Sequence, residues 1–230
     1  MFSDTGRGLQ TLTDLDPGDT LVNIPLSALI SRDCVEEALN SQFKNGSLAL
    51  LSTQTLLSFW LLREKQLGLG SQFHPYLQSL PSSYTNPYFC SVKEKQSLPQ
   101  YLLNKIEDQE SEVVRCYQRL VNSLNCDMNH GLSEFAWAWF TVNTRAVYLD
   151  QDPRFHHQNN TQNKSEDCLA LVPFLDLLNH DSSVEVRAGV SPDNTGYRII
   201  SQTRVDKYDQ VFINYGPHDN TKLLLEYGFW

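Results

Sequence analysis

The chain has 230 residues, 40 % of them hydrophobic and 11 % aromatic, enough for the core of one large domain or of one domain bearing an insertion. No apolar run reaches the roughly 20 residues that a membrane helix needs; the longest, Leu48 to Leu62, is broken by Ser52, Thr53, Gln54, Thr55 and Ser58, and Met1-Phe2-Ser3-Asp4 has neither the basic head nor the apolar stretch of a signal peptide. A formal charge of −9 opposes nucleic acid and favours a basic partner.

The chain opens on short strands. Gly6-Arg7-Gly8 leads into Leu9 to Leu12, Asp16-Pro17-Gly18-Asp19 is a turn with proline pre-set for the bend, and Thr20 to Ile24 reads as a strand stopped by Pro25. From about Ser31 to Arg119 the pattern is mainly helical. Leu48, Leu51, Thr55, Leu56, Phe59 and Leu62 predict one helical apolar face, and Leu98 to Leu124 predicts one or two further helices. A buried helix follows, rich in Phe135, Trp137, Trp139 and Phe140, with Ser133 as its expected cap and Glu134 near the positive end of its dipole. Phe155 to Asp167 has almost no aliphatic residues and predicts a surface loop, so His156-His157 read as solvated and no metal is expected. Val184 to Val190, Tyr197 to Gln202 and Gln210 to Tyr215 read as strands, the first two forming a hairpin around Ser191 to Gly196. Asp219 or Asn220 can cap a last helix through Leu225. Strands, then helices, then strands predict an α+β fold split by a helical insertion. Five scattered cysteines, none in a close pair, read as reduced thiols of an intracellular protein of cytoplasm or nucleus rather than as zinc ligands.

Four pieces carry candidate chemistry. Gly6-Arg7-Gly8 lets backbone approach a ligand, although a lone pair of glycines is also an ordinary turn. Arg145 closes the tryptophan-rich helix and can equally satisfy its last carbonyls. In Phe174 to Asp181, a helical turn would put Asp176, Asn179 and His180 on one face at i, i+3 and i+4, either for a polar ligand or to fix the helix end. Tyr215 ends a strand before Gly216, and Tyr227-Gly228-Phe229 follows.

The order of these pieces resembles the SET-domain methyltransferases: Gly-Arg-Gly, then Asn143-Thr144-Arg145, Asp176-Leu177-Leu178-Asn179-His180, Tyr215-Gly216-Pro217-His218 and Glu226-Tyr227-Gly228-Phe229. Within them it resembles the Rubisco large-subunit methyltransferase class. That resemblance implies a SET β-fold with a threaded C-terminal segment. It implies an N-terminal part of about residues 1–30, a helical insertion of about 31–142 and a C-terminal part of about 143–230. It implies S-adenosylmethionine as cofactor, lined by Gly6, Arg7, Gly8, Arg145, Asp176, Asn179, His180, Tyr215 and Phe229. Tyr215 matches the family's catalytic tyrosine, and Tyr227 would wall the channel for the target side chain. The expected substrate is a protein lysine, histone lysines included. The rivals are protein-histidine methylation and a silent SET-like module that binds peptides. Relatives continue past the position of Trp230 into a helical substrate-binding domain, which this chain is expected to lack. Oligomeric state is open.

Overall fold

The computed structural model describes residues 1–39, 43, 47–124, 130–149 and 168–230. The Phe155 to Asp167 segment, with its two histidines, and Cys126 lie outside them.

Three small sheets organise the chain. In the first, β1 (Leu9–Gln10) pairs antiparallel with β9 (Gln210–Ile213), placing Leu9 opposite Val211. On the other edge of β9 lies β6 (Asn179–His180), parallel to it, with Asn179 opposite Phe212 and His180 opposite Ile213. The beginning of the chain and the β6 segment are thus joined by one central strand, β9. The second sheet runs β2 (Thr20–Pro25), β8 (Gly196–Ser201), β7 (Val186–Val190), all antiparallel. The hairpin between β7 and β8 is closed by Ser191, whose hydroxyl accepts the backbone N–H groups of Thr195 and Gly196. In the third sheet, β3 (Ile30–Ser31) and β4 (Ala146–Tyr148) both pair with β5 (Leu169–Leu171).

Between β3 and β4 come α1 (Arg32–Leu39), α2 (Thr53–Leu67), α3 (His74–Ser79), α4 (Val92–Gln96), α5 (Gln100–Leu124) and α6 (Leu132–Arg145). The helical excursion therefore leaves and returns at the two strands that flank β5. α2 departs from the expected single apolar face. Leu48–Leu50 is a separate 3-10 turn, the helix starts after the Ser52 cap, and Leu56, Leu57 and Leu61 are all fully buried. It is a central helix, packed against α1, α3, α5 and α6. Its Ser58 is tolerated there because the hydroxyl donates back to the Gln54 carbonyl at 2.7 Å. α6 begins two residues earlier than a Ser133 cap would require. Gly131 holds the N-cap position in extended backbone, and the Glu134 carboxylate accepts its N–H at 3.1 Å. Arg32 is buried but satisfied by the carbonyls of Leu48 and Leu51 and by Glu36.

Two cores result. One fills the helical part around α2 and α6; the other lies under the sheets and includes Val22, Leu175, Leu178, Tyr197, Ile199 and Ile213, with Tyr215 packed against it. Each fully buried leucine contributes about 1.5–3 kcal/mol, so Leu178, at 1 % exposure, anchors the segment from which the site is built. Among the described residues no helix is long and apolar enough to cross a membrane, and no group of three His, Cys, Asp or Glu side chains is placed to hold a metal.

Candidate active site

The Asp176–His180 segment is not a helical turn. The chain enters it through Phe174 at φ 76, a left-handed conformation costing a non-glycine residue about 1–2 kcal/mol. Leu175–Leu177 makes one 3-10 turn, Leu178 is extended, and Asn179 and His180 form β6. The three polar side chains therefore go to three places instead of sharing a face. Pairing of β6 with β9 overrides the helical spacing, because neighbouring strand residues point to opposite sides.

Asp176 meets Arg145. The guanidinium Nη1 donates to the Asp176 carbonyl at 2.7 Å and to its Oδ2 at 3.1 Å, so the arginine ties α6 to this turn rather than serving its own helix carbonyls. The Asp176 side chain is only 1 % exposed. Burial raises its pKa above the ordinary carboxylate value, and Arg145 opposes that shift.

Asn179 goes the other way, its Nδ2 donating to the Arg7 carbonyl at 2.8 Å. This fastens Gly6-Arg7-Gly8 to β6. A Cβ on Gly8 would stand 2.5 Å from Gln210 Nε2 and 2.8 Å from Asn179 Nδ2, so glycine is what lets the three segments meet. Gly6 is different: at φ 71 it has nothing within 4 Å of where a Cβ would stand, and its N–H and carbonyl are paired with the carbonyl and N–H of Phe2.

His180 accepts the Tyr215 backbone N–H on Nδ1 at 3.1 Å. Burial lowers its pKa, opposed by a backbone hydrogen bond with Ile213 and by Asp181. Tyr215 lies just past β9. Its hydroxyl donates to the Leu178 carbonyl at 2.7 Å, and burial pushes its pKa up to about 12. The Tyr215 ring centroid is 5.1 Å from both His180 and Tyr227, and Phe229 lies 5.9 Å from His180. The Tyr227 phenol is likewise pushed up to about 12, by burial first and Glu226 second. Both tyrosines stay protonated at neutral pH.

A cavity of about 590 Å³ opens beside this cluster. Arg145, Asp176, Tyr215 and Tyr227 line it, and Val147, Leu175, Leu178 and Ile213 make it apolar. The other expected residues, Gly6, Arg7, Gly8, Asn179, His180 and Phe229, are not on its walls. They form a second group, around the Gly6 backbone and the half-exposed Phe229 ring, and Tyr215 belongs to both. The second group offers the Phe229 ring, the His180 imidazole and the space left beside Gly6. That set fits a ligand with a flat ring and polar ends.

The C-terminal turn is held by side chains from distant parts of the chain as well as by its own cap. Asp219 caps Asn220–Lys222 by accepting the Lys222 N–H at 2.7 Å, as its position predicts. Leu223–Tyr227 then winds as a π-turn, and its loosened carbonyls are taken up by the insertion. Asn86 donates to Leu225 O, Asn143 to Glu226 O, and Thr85 to Gly228 O. Asn143 was legible as the first residue of Asn-Thr-Arg; Thr85 and Asn86 carry no local signal.

The profile of the SET domain family matches residues 6–216. The chain is 37 % identical over 237 residues to SET domain-containing protein 4 of Homo sapiens, covering 99 % of this chain and 53 % of the relative. It is 27 % identical to the ribosomal lysine N-methyltransferase set11 of Schizosaccharomyces pombe, covering all of this chain and 55 % of that protein. It is 24 % identical to the actin-histidine N-methyltransferase of Mus musculus, over all of this chain and 38 % of that one. The chain thus spans about half the length of the first of these relatives. Among solved structures, the SET domain of LSMT bound to methyllysine and AdoHcy superposes with a TM-score of 0.77 at 22 % identity, over all of this chain and 53 % of that one.

Proposed function

Because the chain belongs to the SET-domain family, we propose that it transfers a methyl group from S-adenosylmethionine to the side-chain nitrogen of a protein lysine. The observation that carries the reading is Tyr215, shared between the apolar cavity and the group formed by Gly6, His180 and Phe229. In this reading Gly6, Arg7, Gly8, Arg145, Asp176, Asn179, His180, Tyr215 and Phe229 hold the cofactor, and the target side chain enters beside Tyr227. The domain reading stays with it: a SET domain with its insertion, to which relatives of about twice the length add further chain.

The cofactor supplies an electrophilic methyl on a sulfonium, so the chain's work is alignment and the exclusion of water. A lysine amine with a pKa of about 10.4 is charged at neutral pH and has no lone pair. The walls of Val147, Leu175, Leu178 and Ile213 desolvate it and favour the neutral amine. The same walls suit the lysine methylene stem. Tyr215 has committed its only proton to the Leu178 carbonyl. Its oxygen is therefore an acceptor toward the cavity, able to take an amine N–H and aim the nitrogen lone pair away from itself. With a pKa of about 12, the phenol performs this role without ionising.

A net charge of −9 suits a basic target, histone lysines among them, in an intracellular compartment. The test is transfer of isotopic methyl from labelled S-adenosylmethionine to cell lysate and to histones, read by mass spectrometry. Label on lysine supports the reading. Label on histidine makes the relatives' other chemistry the right one, and cofactor binding without label makes the chain a silent peptide-binding module.

A further inference from the structure

Among the described residues, three buried polar atoms at and beside the cavity wall lack a hydrogen-bond partner: Asp176 Oδ1, Arg145 Nε and the Tyr76 hydroxyl. They sit on three different elements. Asp176 belongs to the turn before β6, Arg145 ends α6, and Tyr76 is carried by α3 in the insertion. Tyr76 is 8 % exposed and packs in the helical core, yet it does not line the cavity.

We propose that Tyr76 is a positioning residue, whose phenol donates to the free oxygen of Asp176 and so fixes the Arg145 guanidinium at the cavity floor. The proposal rests on the methyltransferase reading of that cavity.

The chemistry of the cluster leaves few other arrangements. Oδ2 and the carbonyl of Asp176 already accept from Arg145, so its remaining acceptor is Oδ1. A buried carboxylate oxygen left without a donor is costly. Tyr76 supplies a donor beside it; the two groups already bear on each other, the phenol holding the carboxylate down and the carboxylate helping to hold the phenol up. The second insertion tyrosine, Tyr84, cannot replace it, because its hydroxyl proton goes to Thr141 Oγ1 at 2.8 Å. A guanidinium gripped by an oriented carboxylate keeps its remaining N–H groups in one direction, toward the cavity. An ungripped one is free to swing.

The groups facing Asp176 are Arg145 from α6 and Tyr76 from α3, with Tyr215 from the segment after β9; Tyr84 faces Arg145 and Tyr76. The decisive measurement is therefore the titration of Asp176 itself, by carboxyl-carbon NMR on aspartate-labelled protein without cofactor. The Asp176 signal is assigned as the one lost in Asp176→Asn. Loss of one hydrogen bond to a charged group should move its midpoint up in Tyr76→Phe by at least about one pH unit. An unchanged midpoint overturns the proposal.

A double-mutant cycle on S-adenosylhomocysteine affinity, by calorimetry, adds the functional arm. Tyr76→Phe should weaken binding about tenfold in the native background and less than about twofold in Asp176→Asn, since the phenol acts through the carboxylate. Equal losses in both backgrounds mean that Tyr76 only packs, and overturn it. Native protein that binds no S-adenosylhomocysteine refutes the functional reading and the positioning role with it, whereas an unchanged titration refutes the Tyr76 proposal alone.

Discussion

Replacing Arg145 with methionine keeps an unbranched apolar stem and removes the guanidinium and its charge. Asp176, 1 % exposed, then loses the two hydrogen bonds that Nη1 donates to its carbonyl and carboxylate. Removing one partner of a buried ion pair costs about 3–5 kcal/mol at neutral pH, because an uncompensated charge stays behind. For a chain of this size 1 kcal/mol moves the melting temperature by about 2–4 °C, so Tm should fall by at least about 6 °C. The loss must depend on pH, and its sign follows from Asp176. Burial already raises the folded-state pKa above the unfolded one, so its folded-state proton favours folding below the ordinary carboxylate pKa, and that contribution is lost as pH rises through the raised value. Without Arg145 the folded pKa climbs further, and the destabilisation grows from acid to neutral pH. Denaturant unfolding of both proteins at about pH 4.5 and about pH 7.5 reads this directly. A smaller gap at the acid end is expected, together with partial rescue by Asp176→Asn. An equal gap at both pH values would show that the arginine contributes packing alone.

Other perturbations separate the two groups of site residues. Asn179→Ala with His180→Ala should leave a folded protein and weaken S-adenosylmethionine binding by at least about tenfold, 1.4 kcal/mol, in calorimetry; unchanged affinity removes both from the cofactor group. Tyr227→Phe keeps the wall and loses only the hydroxyl, so it should alter the degree of methylation seen by mass spectrometry more than the rate of the first transfer. Deleting Gln158 to Lys164 should shift unfolding by no more than about 0.5 kcal/mol; a large loss would mark that segment as an ordered element.

Local signals were legible, and long-range ones were not. The turn before β8 and the Asp219 cap act within a few residues, and the structure places them as the sequence implies, while β2 runs one residue further than expected and ends on Pro25 itself. The Asp176–His180 segment misled because two leucines among polar residues imitate an amphipathic helix. What decides its shape is pairing with β9, more than thirty positions away, which no local pattern encodes. α2 misled in the opposite sense. The expected single face left out Thr53, Leu57, Ser58 and Leu61, yet all four are buried, because short hydroxyls satisfied within the helix or by its neighbours can be. Within the candidate site, the family motifs named the residues and the structure sorted them. Asn86 and Asn143 act across 83 or more positions, as the Asn143–Glu226 contact does, and only folding brings them to the C-terminal turn.

The central claim is that the Tyr215 oxygen takes part in methyl transfer. Tyr215→Phe tests it most directly, since the ring and its contacts with His180, Tyr227 and Phe229 remain. The change leaves the buried Leu178 carbonyl without its donor, a stability loss of about 1–3 kcal/mol that thermal unfolding can monitor. With cofactor affinity retained, transfer of labelled methyl to the lysine substrate should fall by at least about tenfold, equivalent to about 1.4 kcal/mol on the barrier. A folded Tyr215→Phe protein that transfers methyl at the native rate, to the same product, would contradict the account.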